Sequence, residues 1–331
     1  MKRLDHYWYS SGPISFALWP LSWVYCGASK FRSRLHKASQ GRTLVKVPIV
    51  VVGNITVGGT GKTPMVIWLA NFLKAYGYKP GVVSRGYGGK STHWPQRVSH
   101  NSNAGIVGDE PLLIVQRTGC PVYVGPHRVK AINQMLKENG EINIIISDDG
   151  LQHYKMPRDV EIAMVDGHRR FGNQLCLPAG PLRESVGRLK KVDFQIVTEA
   201  EADDDIDASY SMRLEGNELV NLRNAKKRKL LSEFKGQSVH AVAGIGNPMR
   251  FFTKLSTSGL KLIMHAFPDH HRFQAQDFRY EQHLPIIMTE KDAVKCKHLA
   301  TDNFWYLPVK ARLGHEFAGA FIKKLREKTG G

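Results

Sequence analysis

The sequence contains few cysteines and few acidic residues, and it has no internal repeat or low-complexity segment. Its four cysteines are scattered over 331 residues, with no two of them close together. This spacing argues against a disulfide framework or a zinc-binding cysteine motif, and it fits a reducing compartment. The chain is long enough for two domains or one large domain, and a hydrophobic content of 42% supports a sizeable core.

The shortage of acids leaves a formal net charge of +18, from 47 Lys and Arg against 29 Asp and Glu. Such an excess predicts an anionic partner, which could be nucleic acid, a membrane surface or a phosphorylated substrate. No RNA- or DNA-binding motif accompanies the charge, so we expect no nucleic-acid partner. A basic cluster at 223–229 and an acidic run at 199–207 are interpreted as solvated surface.

The amino-terminal segment combines aromatic side chains with flanking cations. Residues 10–29 carry no charge, whereas residues 1–50 contain eight Lys or Arg and a single acid. Four interpretations are open: a spanning helix, a signal peptide, an interfacial helix and an ordinary buried helix. A spanning helix needs about 20 apolar residues, and Pro13 and Pro20 interrupt this one. Aromatic residues flanked by cations favour an interfacial helix.

A short β-branched run at 50–52 precedes a glycine-rich turn and then Lys62 and Thr63, which open an amphipathic stretch. Strand, glycine turn, lysine-threonine and helix are typical of a nucleoside-triphosphate P-loop. Glycines let backbone N–H groups approach phosphates, and the helix start adds its positive dipole end. The candidate ATP-binding residues are Thr56, Val57, Gly58, Gly59, Thr60, Gly61, Lys62 and Thr63. Lys62 can reach the β- and γ-phosphates, and the Thr63 hydroxyl can bind Mg²⁺.

This loop departs from the usual pattern at two positions. Thr56 stands where the pattern begins with glycine, and Val57 stands where the MinD-like ATPases carry an extra lysine. A membrane-associated ATPase switch of the MinD-like type is therefore an alternative function. A glycine turn that binds nothing is also possible, but the flanking strand and helix favour a nucleotide loop.

Apolar β-branched runs alternate with amphipathic segments. We predict strands at 48–52, 79–84, 121–124, 142–147, 160–165, 192–198, 239–243, 261–265 and 284–288. Predicted helices follow Lys62 and cover 111–118, 127–138, 247–258 and 314–328. This alternation predicts an α/β fold with a mostly parallel sheet covered on both faces.

Composition divides the chain into four parts. We expect an interfacial helix region at 1–40, a nucleotide-binding lobe at 41–165, a second α/β lobe at 166–310, and a carboxy-terminal helix at 311–331 that packs back on the first lobe.

Several polar residues could carry chemistry. Asp148 and Asp149 end an apolar strand, where an acid can order Mg²⁺, although an N-cap or turn role is the alternative. Asp109 precedes a predicted helix and could either cap it or accept a proton. His270, Arg128 and the pair Arg183–Glu184 are ambiguous by themselves.

Together these segments resemble one family, tetraacyldisaccharide 4′-kinase, a lipid A 4′-kinase with a P-loop. The motifs that carry the resemblance lie at 53–64 (GNITVGGTGKTP), 84–89 (SRGYGG), 108–111 (GDEP), 148–153 (DDGLQH), 177–184 (LPAGPLRE), 243–248 (AGIGNP), 267–270 (FPDH) and 289–294 (TEKDAV). The resemblance covers nearly the whole chain, from the Trp-rich amino end to about residue 310.

The resemblance implies an enzyme with two α/β/α lobes on the cytoplasmic face of a Gram-negative inner membrane, held there peripherally or by its amino-terminal segment. The sequence does not give the oligomeric state, and we expect a monomer. It would transfer the ATP γ-phosphate to the 4′-hydroxyl of a tetraacyldisaccharide 1-phosphate, forming lipid IVA. By similarity, Asp109 would be the base and His270 its partner. Lys62 and Arg128 would contact phosphates, and Thr63, Asp148, Asp149 and Glu184 would be candidate Mg²⁺ ligands. His271 stands where an aromatic residue is expected.

Overall fold

The computed structural model describes residues 7–9, 12–37, 45–199 and 209–330. Its larger sheet has nine strands. In spatial order they are β15 (Lys310–Leu313), β8 (Ser209–Glu215), β7 (Phe194–Thr198), β6 (Val160–Asp166), β1 (Ile49–Gly53), β5 (Ile144–Asp148), β2 (Pro80–Ser84), β4 (Val122–Val124) and β3 (Gln96–Val98). The seven inner strands are parallel, and the two edge strands pair antiparallel.

The smaller sheet has six strands and forms a second lobe. In spatial order they are β10 (Arg228–Leu230), β9 (Glu218–Asn221), β14 (Phe304–Leu307), β13 (Ile286–Thr289), β11 (Ser238–Ala243) and β12 (Lys261–Ala266). The last four are parallel, and β9 and β10 add an antiparallel hairpin. The predicted α/β fold with mostly parallel sheets is therefore confirmed.

Helices cover both faces of the larger sheet. The described helices are α1 (Pro13–Lys37), α2 (Lys62–Ala75), α3 (Ala104–Val107), α4 (Asp109–Thr118), α5 (Arg128–Glu138), α6 (Pro248–Thr257), α7 (Glu290–Cys296) and α8 (His315–Thr329). Alternate residues of β1 face opposite layers, as the period of a strand requires. Val50 and Val52 pack in a core with side chains of α2, α4 and α8, and Ile49 and Val51 pack in another with side chains of α5. The fully buried β1 explains its unbroken apolar run.

The two sheets define lobes whose boundaries differ from those predicted from composition. Strands β7, β8 and β15 belong to the larger sheet, although residues 194–198, 209–215 and 310 lie in the range expected for the second lobe. The second lobe is thus an insertion between β8 and β15. Composition could not show this, because strands of both sheets have the same apolar pattern.

The amino-terminal helix α1 is continuous through Pro20, so the predicted interruption at this residue is wrong. Pro13 occupies its first position, where a missing N–H costs nothing. None of the helices in the described residues is both long enough and apolar enough to span a membrane. Four apolar side chains along α1 are between 64% and 81% exposed: Phe16, Trp23, Val24 and Phe31.

The structure describes the whole of the basic cluster but only the first residue of the acidic run. Arg223, Lys226, Lys227, Arg228 and Lys229 are exposed, as expected of a solvated face. The acidic run lies outside the described residues from position 200 onward.

Candidate active site

The glycine loop joins the carboxyl end of the central strand β1 to the first residue of α2. Gly58 and Gly61 have φ angles of +97° and +82°, which favour glycine. The Val57 N–H donates to the Pro181 carbonyl at 2.9 Å, and the Thr198 hydroxyl donates to the Thr60 carbonyl at 2.9 Å. Neighbouring loops therefore hold this turn at a helix N-terminus, where an anion is stabilised.

Lys62 and Asp149 face each other across the mouth of this loop. Lys62 Nζ donates to Asn54 Oδ1 at 3.1 Å and lies 3.5 Å from Asp149 Oδ1. Arg183 donates to Asp149 Oδ2 at 3.0 Å. Asp149 has a φ of +48°, a strained conformation that is concentrated at functional sites. Lys62, Thr63, Asp149 and Arg183 all line one cleft of about 1270 Å³.

The other two candidate metal ligands do not line this cleft. Asp148 is 1% exposed, and its Oδ2 accepts the Ser84 hydroxyl at 3.0 Å. Glu184 is also buried, and its carboxylate accepts hydrogen bonds from the Gln152 amide at 2.9 Å and from the Tyr154 hydroxyl. Both carboxylates thus hold neighbouring polar groups in place.

Arg128 is the first residue of α5 and lines the cleft, although it is only 3% exposed. Its Nη1 donates to the Gly125 carbonyl at 2.9 Å. Burial lowers its pKa to about 10, against the opposing effect of Asp148 and Asp149. The guanidinium stays charged at neutral pH and can meet an anion.

Asp109 and His270 come together across the boundary between the two lobes. Asp109 begins α4 of the first lobe, and His270 follows β12 of the second. His270 Nδ1 lies 3.0 Å and 3.1 Å from the two carboxylate oxygens of Asp109. His270 lines the cleft, whereas Asp109 lies behind it and is 3% exposed. His270 has a φ of +60°, so the backbone is strained at this position too.

The adjacent histidine has a different environment. His271 Nε2 bonds Asp277 Oδ2 at 2.9 Å, and its ring stacks on Phe267. Among the two neighbouring histidines, His270 is therefore the one that reaches Asp109.

Two lysines of α7 surround this pair. Lys291 Nζ lies 3.0 Å from Glu110 Oε1 and 3.5 Å from His270 Nε2, and Lys295 Nζ lies 3.8 Å from Asp109 Oδ2. Burial alone would raise the pKa of Asp109, but Lys291, His270 and Lys295 outweigh it and lower the pKa to about 2. Burial lowers the pKa of His270, but the hydrogen bond to Asp109 raises it, and the pKa of His270 remains above its ordinary value.

Comparison with known proteins decides the family. A family model described as tetraacyldisaccharide-1-P 4′-kinase matches residues 14–327. The tetraacyldisaccharide 4′-kinase of Nitrosococcus oceani is 46% identical over 324 residues, which cover 97% of this chain and 94% of the relative. The chain belongs to the tetraacyldisaccharide-1-phosphate 4′-kinase family.

A second relative and a crystal structure from this kinase family are similar to the chain over almost its whole length. The enzyme of Methylobacillus flagellatus is 45% identical over 325 residues, covering 98% of this chain and 96% of the relative. The crystal structure of LpxK from Aquifex aeolicus in complex with ATP superposes with a TM-score of 0.77 at 26% identity, covering 94% of this chain and 99% of that one. The two-lobed fold is therefore shared along almost the whole chain.

Oxygen donors in the kinase cleft fit Mg²⁺, which takes one or two carboxylates and usually completes its shell with water and phosphate oxygens. The Thr63 hydroxyl and the Asp149 carboxylate both line the cleft at the start of α2. Among the residues that the structure describes, no group of three or more His, Cys, Asp and Glu could hold a metal ion.

Sequence reasoning missed several residues around the site. Lys295 lies one residue beyond a motif used for the family resemblance, and its i, i+4 spacing from Lys291 places both on one face of a helix. Thr198 and Arg169 contact the glycine loop from elements far away in the sequence. No local pattern identifies these two, because their role depends on tertiary contacts.

Proposed function

We propose that this protein transfers the γ-phosphate of ATP to the 4′-hydroxyl of an acylated disaccharide 1-phosphate, forming the lipid IVA type of product. One observation carries the proposal: His270, which contacts Asp109, lines the same cleft as the glycine loop and Lys62. A nucleotide loop alone fits many proteins, whereas a carboxylate–histidine pair beside it provides an acceptor for the alcohol proton.

The nucleotide would lie with its phosphates against the loop amides of residues 57–61. Lys62 would leave its contacts with Asn54 and Asp149 for the β- and γ-phosphates, and Arg128 would add a second cation. Transfer of a phosphoryl group depends mainly on positioning and on neutralising its equatorial oxygens. Mg²⁺, held by Thr63 and Asp149, would supply further neutralisation. In this proposal Asp148 and Glu184 hold the surrounding polar groups.

The alcohol oxygen would form the new bond to the γ-phosphorus as the bond from that phosphorus to the β–γ bridging oxygen breaks and ADP leaves. The alcohol proton would pass to the Asp109–His270 pair. We assign the base to Asp109, as the sequence predicted, and to His270 the task of holding its carboxylate. Because His270 lines the cleft and Asp109 lies behind it, the two residues act as one unit.

Helix α1 would bring this cleft to the inner-membrane surface, on its cytoplasmic face. The Ser22 hydroxyl donates to the Cys176 carbonyl, and the Trp8 Nε1–H donates to the Pro178 carbonyl at 2.9 Å, so one face of the segment is attached beside the site. Tyr25 and Arg32 line the cleft itself. The exposed apolar face could enter the headgroup region while the substrate keeps its acyl chains in lipid.

One chain supplies both walls of the cleft and both members of the proton-accepting pair, so we propose that a monomer suffices.

The kinase proposal is tested by an assay with γ-labelled ATP and detergent-solubilised tetraacyldisaccharide 1-phosphate. We expect label in the glycolipid. Release of label only as inorganic phosphate would contradict the kinase proposal and favour a MinD-like switch.

A further inference from the structure

Arg169 connects the glycine loop of the first lobe to the second lobe. It lies just after β6, where Asp166 Oδ1 accepts its backbone N–H at 2.9 Å. Its Nη2 donates to the Gly59 carbonyl at 2.8 Å, and its Nη1 donates to the Gly246 carbonyl at 3.1 Å. Asp166 Oδ2, 3.2 Å from Nη2, holds the guanidinium in this orientation. One planar group therefore bonds backbone of both lobes.

The contact with Gly59 bears on how the loop binds phosphate. A phosphate-binding turn directs its N–H groups at the anion, so its carbonyls need partners elsewhere. The Thr60 carbonyl has Thr198 as its donor, and the Gly59 carbonyl has Arg169. A hydrogen bond from a charged donor is stronger than one from a neutral group. Arg169 thus supports the peptide unit that precedes Thr60.

The second lobe touches the loop at the same place. Gly246 belongs to the turn between β11 and α6, and a Cβ built on it would lie 2.6 Å from the Gly59 N atom. Only a residue without a side chain allows this approach. Asn247 at the end of this turn and Arg250 in α6 also line the cleft.

We infer that Arg169 is a positioning residue that keeps the glycine loop in its phosphate-binding form and couples it to the position of the second lobe. Nucleotide affinity then depends on the contact between the lobes as well as on the loop's own sequence. The inference rests on the proposed ATP-binding function, but it does not depend on the identity of the phosphate acceptor.

Arg169→Gln and Arg169→Lys test this role. Glutamine loses the charge, and lysine keeps it but lacks the fork that spans two carbonyls. We expect the Kd for ATP, measured by calorimetry, to rise about tenfold in Arg169→Gln, because the loop loses the charged hydrogen bond to its Gly59 carbonyl. The lysine variant should fall between the wild type and the glutamine variant. Arg312→Gln is the control, because its exposed guanidinium pairs with Glu215 at the edge of the larger sheet.

Hydrogen exchange of the nucleotide-free protein supplies a readout that general destabilisation would not reproduce. In Arg169→Gln we expect faster exchange at residues 57–61 and at 244–247 together, with exchange in β1 and β11 unchanged. Faster exchange throughout both sheets would indicate a merely structural role and would overturn the inference.

Gly246→Ala tests the coupling from the other lobe. Its methyl group would force the two loops apart, so we expect a similar rise in the Kd for ATP, with faster exchange at 57–61. Gly319→Ala is the matched control, since nothing lies within 4 Å of a Cβ at that exposed helical position. Unchanged ATP binding in both Arg169→Gln and Gly246→Ala would reject the coupling. Tight ATP binding by the wild type without transfer to the glycolipid would reject the proposed acceptor and leave this inference standing.

Discussion

Asp109 and His270 lie 161 positions apart in the sequence, yet both oxygens of the carboxylate are within 3.1 Å of the same ring nitrogen. Each residue has an ordinary local role as well. Asp109 begins a helix, where a carboxylate is stabilised by the dipole, and His270 lies in a loop after a strand. The role proposed for them depends on this pairing, which places His270 at the wall of the cleft with Asp109 behind it.

The pair is expected to behave as a unit in catalysis. Asp109→Asn and His270→Gln should each lower kcat by about 10²–10⁴-fold, the usual effect of a positioned acid or base. The double variant should lose little more than either single variant, because residues that act together are not additive. Steady-state transfer assays measure this, and His271→Gln, whose ring contacts Asp277 instead, should keep its activity. If the losses of kcat in the two single variants added up in the double variant, the two residues would be acting independently.

The same pair should make stability depend on pH. Burial would lower the pKa of His270, but Asp109 reverses the effect and leaves it raised. A histidine that is more basic in the folded state contributes stability that is complete below its ordinary pKa of about 6.5 and is lost as pH rises through the folded pKa. Asp109, with a pKa of about 2, stays ionised across this range.

We therefore expect the free energy of unfolding lost in His270→Gln to be larger at pH 5 than at pH 9, measured by urea denaturation. His298→Gln, a substitution at an exposed histidine, is the matched control. A loss that is equal at both pH values would show that the ion pair contributes nothing to stability.

At the scale of elements, helix α1 carries the proposed membrane contact. Trp23 and Val24 are 70% and 71% exposed on its surface. Because burying one such side chain fully is favourable by about 1.5–3 kcal/mol, Trp23→Ser combined with Val24→Ser should weaken binding to phosphatidylglycerol vesicles by at least about tenfold. Vesicle sedimentation measures the change.

Tyr76→Ser is the control for this experiment, since Tyr76 is 53% exposed at the end of α2. ATP affinity should be unchanged in both variants, which separates membrane binding from folding. Vesicle binding that survives the α1 substitutions would show that another surface carries it.

Several elements could be predicted from their sequence and several could not. The strand and helix around the glycine loop follow from a contiguous pattern. Strand β1 and helix α5 lie within one residue of their predicted limits, and α2 begins at Lys62 as predicted. Strands β14 and β15 and helix α7 were not predicted, because they are four to seven residues long and their periodicity is weak. Tertiary packing stabilises such short elements.

At the scale of the whole molecule, α4 of the first lobe packs on α7 of the second. Arg117 Nη1 donates to both oxygens of Glu290 at 2.6 Å and 2.8 Å, and the two side chains are 22% and 11% exposed. Burial raises the pKa of Glu290 against the opposing effect of Arg117. This ion pair therefore joins α4 of the first lobe to α7 of the second.

Arg117→Ala leaves Glu290 buried without its cation, so the free energy of unfolding should fall by about 3 kcal/mol. Arg312→Ala breaks an exposed pair with Glu215 and should cost about 0–1 kcal/mol. Urea denaturation compares the two variants. Equal losses would show that the lobe contact is no more stabilising than a surface ion pair.

Contiguous motifs and the apolar patterns of single segments were enough to predict the glycine loop, the parallel α/β class and the family, because each segment carries these signals alone. The packing of the two sheets was needed to show which lobe each strand joins, which histidine reaches Asp109, and that Arg169 bonds to both Gly59 and Gly246. Those pairings join residues far apart in the chain, and their distances are set by how two sheets and their helices pack.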